Sequence, residues 1–170
     1  MADPLKIQIG FSRSSGLISS LIAWATRSQV SHAFVVIDHN VLGPLVFQSN
    51  SRGPTLTTLA EFKSQHTIVD MVDPVIDLTD ALTICINNTI GESYDYTGVL
   101  GLAIVLIGRW LHTQWKNIFH DKNHQFCSEL IVWLLQLANY PGADKLIADE
   151  TTPEDLLEFL KPSGRPPRHF

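Results

Sequence analysis

The chain is poor in charge. Only 17% of its 170 residues are Asp, Glu, Lys or Arg, where a soluble domain usually carries about 25%. This shortfall does not signify disorder, because 45% of the residues are hydrophobic and disordered chains pair low hydrophobicity with high net charge. A basic excess is also missing: 12 Lys and Arg stand against 17 Asp and Glu, for a net charge of −5. A protein held mainly by phosphates needs the opposite sign, so no nucleic acid partner is expected. Cysteine is scarce. Cys85 and Cys127 are the only two, too few for a disulfide scaffold or a four-thiolate zinc site, so each must be explained singly. Long apolar runs are lacking as well. Val99–Ile107, VLGLAIVLI, would extend about 14 Å as helix against a bilayer core of roughly 30 Å. Its extension meets Arg109 and His112, which predicts a buried helix and no transmembrane segment. The start, MADPLKIQIGFSRSSG, has no basic region followed by an apolar run and a small-residue cleavage site. It reads as having no signal peptide, with synthesis in the cytoplasm.

Periodicity predicts the elements. Residues 5–11, LKIQIGF, alternate with a period of two and read as a strand; Ser12–Gly16 reads as loop. Leu17, Ile18, Leu21, Ile22 and Ala25 follow helical spacing. Residues 32–38, HAFVVID, and 45–49, LVFQS, read as a hairpin, with Ser49–Pro54 as loop. Thr58 and Glu61 suggest a capping box for a helix to Gln65, and 67–72, TIVDMV, a further strand. Asp77 is placed to cap a helix over 77–90 carrying Leu78, Ala81, Leu82, Cys85 and Ile86 on one stripe. Tyr94–Gly98 interrupts, an apolar helix over 97–111 follows, and His112–Gln125 reads as polar, aromatic loop. Cys127, Leu130, Ile131, Leu134, Leu135 and Ala138 mark an amphipathic helix. Thr152-Pro153-Glu154-Asp155 opens a last helix to Leu160. Residues 1–160 then form one domain, and 161–170, with four breakers, a mobile tail. Strands early and helices late predict an α+β fold, a small antiparallel sheet packed against helices.

Cys127 opens the best helix of the chain, where the positive end of the helix dipole favours thiolate, the nucleophilic form. The same position suits a small buried core residue. A thiol nucleophile needs a base, and His32, at the start of the apolar strand, is the best placed. Its imidazole in turn needs a polar partner to set its tautomer. Gln48 lies in the paired strand, with Ser49, His39 and Asn50 as rivals for that role. Cys85 reads as core.

These residues carry a resemblance. The pieces are Val30-Ser31-His32 followed by AFVVI; Val46-Phe47-Gln48-Ser49 with Gly53 and Leu56; Tyr94-Asp95-Tyr96; Phe126-Cys127-Ser128-Glu129-Leu130; and Thr152-Pro153-Glu154-Asp155-Leu156. In order and spacing, over roughly residues 7–157, they resemble the permuted branch of the NlpC/P60 superfamily of papain-like thiol hydrolases, which includes YiiX-like and lecithin–retinol-acyltransferase-like families. The resemblance implies a papain-like fold with circularly permuted order, the His strand before the Cys helix. It further implies Cys127 as nucleophile, His32 as base, Gln48 as the orienting third member, and Tyr94 and Ser128 lining the substrate side. The chain departs from it at Gln48, where YiiX-like members often carry Glu; a neutral amide orients an imidazole but does not stabilise an imidazolium.

The substrate class implied is an amide bond, foremost in the peptides of peptidoglycan, cleaved without a cofactor or metal. An enzyme of this kind without a signal peptide must be kept from its substrate until delivery, by a signal-independent route to the periplasm or a target cell, or by an inhibitor (immunity) protein. Two other readings use the same residues. An acyltransferase or lipid-cleaving enzyme would use the same pair, with the apolar segment 97–111 as its supporting feature. A non-catalytic binding module on this fold would account for Gln48. His120, Asp121, His124 and Cys127 have a spacing open to zinc, against which a merely histidine-rich loop is the plainer reading. Six of the 17 acids crowd into 144–158, so the sequence around His32 and Cys127 is nearly uncharged.

Overall fold

Alternating side chains build the sheet. The computed structural model describes residues 5–14, 30–50, 53–90 and 127–161. Five strands, β1 (Lys6–Ser14), β2 (His32–His39), β3 (Gly43–Asn50), β4 (Gly53–Thr58) and β5 (His66–Val72), form one sheet in the order β4-β3-β2-β1-β5. Every neighbouring pair is antiparallel. Among the described residues there are four α-helices: α1 (Leu59–Gln65), α2 (Thr79–Thr89), α3 (Cys127–Leu137) and α4 (Pro153–Leu160). A short 3-10 turn, Ala143–Lys145, links the last two. The chain is α+β with a five-stranded antiparallel sheet.

The two faces of the sheet differ. Ile7, Ile9 and Phe11 of β1 lie opposite Ile37, Val35 and Ala33 of β2, and Val35 and Ile37 lie opposite Phe47 and Leu45 of β3. This face meets Leu82 and Cys85 of α2, Leu130, Ile131, Leu134 and Leu135 of α3, and Leu156 of α4 in the main core. The other face carries Gly10 and Ser12 opposite Phe34 and His32. There Phe34, Val36, Val46 and Phe62 of α1 make a smaller core, flanked by Leu59, Ile68 and Met71. A β-carbon at Gly10 would lie 2.3 Å from the Phe34 ring, so only glycine lets that ring lie flat on β1. The result places His32 on the minor face and α3 on the major face of one strand.

The caps follow the sequence closely. Thr58 accepts from the Glu61 N–H at 3.2 Å, and Thr152 and Asp155 form a reciprocal capping box with Pro153 at the first position. Asp77 accepts from the N–H and hydroxyl of Thr79 at 2.9 and 2.6 Å. The helix it serves begins at Thr79 rather than at residue 77.

Two loops expected from the sequence are strand instead. Ser12–Ser14 extend β1, because they pair with β5 (Ser12 with Ile68, Ser14 with His66) and Ser12 also pairs with His32. Non-local pairing overrides the polar composition there. Gly53 and Pro54, read as loop, open β4, and Ser49 and Asn50 belong to β3. Proline is tolerated because β4 is an edge strand.

The helix expected near residues 17–25, Tyr94, the apolar segment 97–111, the loop bearing Trp110, Trp115, His120 and His124, and most of the C-terminal tail lie outside the described residues. Among the described residues no helix is long and apolar enough to cross a membrane.

Candidate active site

The first residue of β2 carries the histidine. Continuing the β2–β3 register sets Phe34 across from Gln48, so His32 and Gln48 share a face as diagonal neighbours. His32 Nε2 lies 2.8 Å from Gln48 Oε1, and both side chains are buried. An amide oxygen only accepts, so Nε2 donates and Nδ1 keeps its lone pair. The ring is walled by Phe34, Phe62 and His66, with centroids 6.3, 6.2 and 5.5 Å away. His66 stacks on Phe62 at 4.1 Å and its Nδ1 donates to the Phe62 carbonyl at 3.2 Å. Burial strips water from the charged form of His32 and pulls its pKa down to about 4, opposed by the bond to Gln48. His66 is also lowered, by burial and then by repulsion from His32. The resting ring is therefore neutral, with a free basic nitrogen.

Cys127 stands in the first turn of α3, buried, as a free thiol. Burial pushes the thiol up; the backbone N–H groups of Ala33, Ser128 and Cys127 itself point at the sulfur and oppose this. Ala33 directly follows His32. Thiol and imidazole thus approach the same end of β2 from its two faces. Among the described residues no hydrogen bond joins the sulfur to the ring. Each group rests neutral, the thiol receiving backbone N–H groups and the imidazole held by Gln48.

The other expected residues separate clearly. Ser128 is buried, with a hydroxyl that has no partner among the described residues. His39 is a turn residue, its Nδ1 accepting from the N–H groups of Val41 and Leu42. Asn50 donates to Thr55 at 3.0 Å. The side-chain hydrogen bond of the His32 ring goes to Gln48 rather than to either of these. Cys85 is a core thiol, pushed up to about 12 by burial, and both cysteines are free. Among the described residues no group of three His, Cys, Asp or Glu is placed to hold a metal.

The sequence reading missed two neighbours of His32. His66 follows Phe62 at helical i, i+4 spacing, a weak signal that gains meaning only once α1 docks on the minor face. Ser12 sits opposite His32 through strand pairing alone. The sequence matches no protein-family model and no curated protein.

Proposed function

We propose that the chain is a cysteine hydrolase of amide bonds, acting foremost on the peptides of peptidoglycan, with Cys127 as nucleophile, His32 as general base and Gln48 as the residue that sets the ring's tautomer. The fold we assign is the permuted papain-like one that the order of motifs resembles. The observation that carries the reading is the buried Nε2–H···Oε1 bond between His32 and Gln48 at 2.8 Å. It leaves Nδ1 unprotonated at the strand end where the Cys127 sulfur receives the Ala33 amide.

The chemistry runs in two halves. Nδ1 takes the thiol proton as sulfur attacks the carbonyl carbon and the π pair moves to oxygen. Amide donors at the start of α3, the Cys127 N–H among them, hold that oxyanion. Collapse breaks the C–N bond, the nitrogen leaves with the Nδ1 proton, and a thioester remains. Water then attacks, giving its proton to Nδ1. The acid departs, and the proton returns to sulfur. Because Gln48 is neutral, the imidazolium exists only between these transfers rather than in a resting ion pair.

Incubation with purified peptidoglycan sacculi tests the reading. Wild-type protein releases soluble muropeptides, and Cys127→Ala and His32→Ala each abolish release while keeping the wild-type circular dichroism spectrum. Undiminished release by either variant overturns the assignment. One observation favours the non-catalytic module instead: both groups rest in their neutral forms with no bond between them. That alternative predicts slow, His32-independent alkylation of Cys127.

A further inference from the structure

The sheet has two edges, and strand composition protects only one of them. β4 is opened by Gly53 and Pro54 and is the shortest of the five strands. Proline has no N–H to offer, and a short, proline-bearing edge resists the addition of another strand. β5, at the opposite edge, reads HTIVDMV. It holds no proline and no lysine, four of its residues are β-branched, and Val69 stands 44% exposed on it. Such an edge is a template for strand pairing. Among the described residues no strand pairs with its outer side.

Two side chains close that edge instead. Along an antiparallel ladder the N–H groups of successive residues point to alternate sides. The Met71 N–H is taken by Asp70 Oδ1 at 2.8 Å, which marks it as an outward-facing donor. The same oxygen accepts from Lys161 Nζ at 2.7 Å. Lys161 follows α4 directly, and the packing of Leu156 and Leu160 in the main core fixes where that helix ends. The fold thus delivers a cation to the open edge, and one carboxylate holds both the cation and the outward donor. A solvent-exposed ion pair contributes little to stability by itself. Its consequence is steric and electrostatic: an incoming strand must strip the carboxylate from the Met71 N–H and leave the Lys161 ammonium unpaired at the new interface.

We propose that Asp70 and Lys161 form a clasp that shuts the β5 edge, and that this edge is a latent self-association surface whose occupant is β5 of a second copy, paired antiparallel about a two-fold axis. A second copy fits because an antiparallel edge is self-complementary, the outward donors and acceptors of one chain meeting those of the other in reverse order. β5 carries a single charged residue, Asp70, so two copies meet without a run of like charges. Because β4 protects the other edge, pairing closes at a dimer rather than growing into a ladder. The clasp is independent of the Cys–His reading.

The test follows self-association of the full chain by sedimentation velocity over a concentration series. Asp70→Ala/Lys161→Ala removes both halves of the clasp and should keep the wild-type circular dichroism spectrum. Its dimer dissociation constant is expected to fall at least about tenfold below the wild-type value, the scale of one charge-assisted hydrogen bond that pairing no longer has to displace. Lys161→Met, a milder opening that keeps the aliphatic stem, moves the constant in the same direction. Adding Val69→Lys to the double variant places a charge on the opened edge and returns the constant to the wild-type value. Equal constants for wild type and the double variant overturn the proposal. Association that survives Val69→Lys also overturns it, because it then runs through another surface.

Discussion

Replacing His32 by Gln should change how stability responds to acid, and the size follows from the site. In the unfolded chain the imidazole titrates near 6.5, whereas in the fold burial holds it at about 4. At about 1.4 kcal/mol per pH unit, that difference corresponds to about 3 kcal/mol. The sign is fixed by proton binding. Between these two values the unfolded state binds a proton that the folded ring refuses, so stability falls as pH drops from about 6.5 toward 4. Above that window the contribution is complete; below it, it is lost. Asp70 and Asp77, both held below the usual carboxylate range by hydrogen bonds to Lys161 and Thr79 respectively, also lose their contribution in acid, but they do so in both proteins. Urea unfolding at pH 7.5 and 4.5 therefore reports His32 as a difference, together with the part of the His66 lowering that repulsion from His32 causes. Wild type should lose roughly 2–3 kcal/mol more than His32→Gln over this interval. Parallel losses would refute a buried neutral ring. A smaller loss in wild type would mean that the folded ring binds its proton more tightly than the unfolded one, as in a thiolate–imidazolium pair.

Other substitutions probe the frame around the site. Gly10→Ala drives a methyl to 2.3 Å from the Phe34 ring and should cost at least the 1–3 kcal/mol typical of overpacking, read as a lowered urea midpoint with loss of the near-UV signal. Thr152→Ala removes the hydroxyl half of the capping box at α4, leaving the bond from the backbone N–H of residue 152 to Asp155, and should cost about 1 kcal/mol, with Thr152→Ser recovering most of it. Cys85→Ala, in a core thiol pushed up to about 12, should leave the alkylation rate of Cys127 unchanged, as followed by peptide mass spectrometry.

Much of this arrangement was legible before any coordinates. β2 and β3 announce themselves by β-branched and aromatic residues, and their pairing as a hairpin brings a polar residue toward His32, with Ser49, His39 and Asn50 as rivals to Gln48 until the register selects it. The stripe from Cys127 to Leu135 marks α3 and its buried side. The misses are non-local in origin. Ser12–Ser14 look like loop because their strand character comes from two partners distant in sequence. β4 is obscured by Gly53 and Pro54, which an edge strand accommodates and a central strand would not. His66 and Ser12 are ordinary polar residues until the sheet brings them beside His32. The start of a helix suggests a thiolate, yet burial outweighs the amide donors and keeps the thiol protonated.

The central claim is that His32 draws the proton from Cys127. Its most direct test is the alkylation of Cys127 by iodoacetamide, followed from pH 5 to 9 in wild type and His32→Ala. The account predicts that wild type reacts at least about tenfold faster near pH 7, the low end of what a positioned general base contributes, and that the variant reacts only as the pH approaches the raised range of the buried thiol. Superimposable pH–rate curves for the two proteins would contradict it.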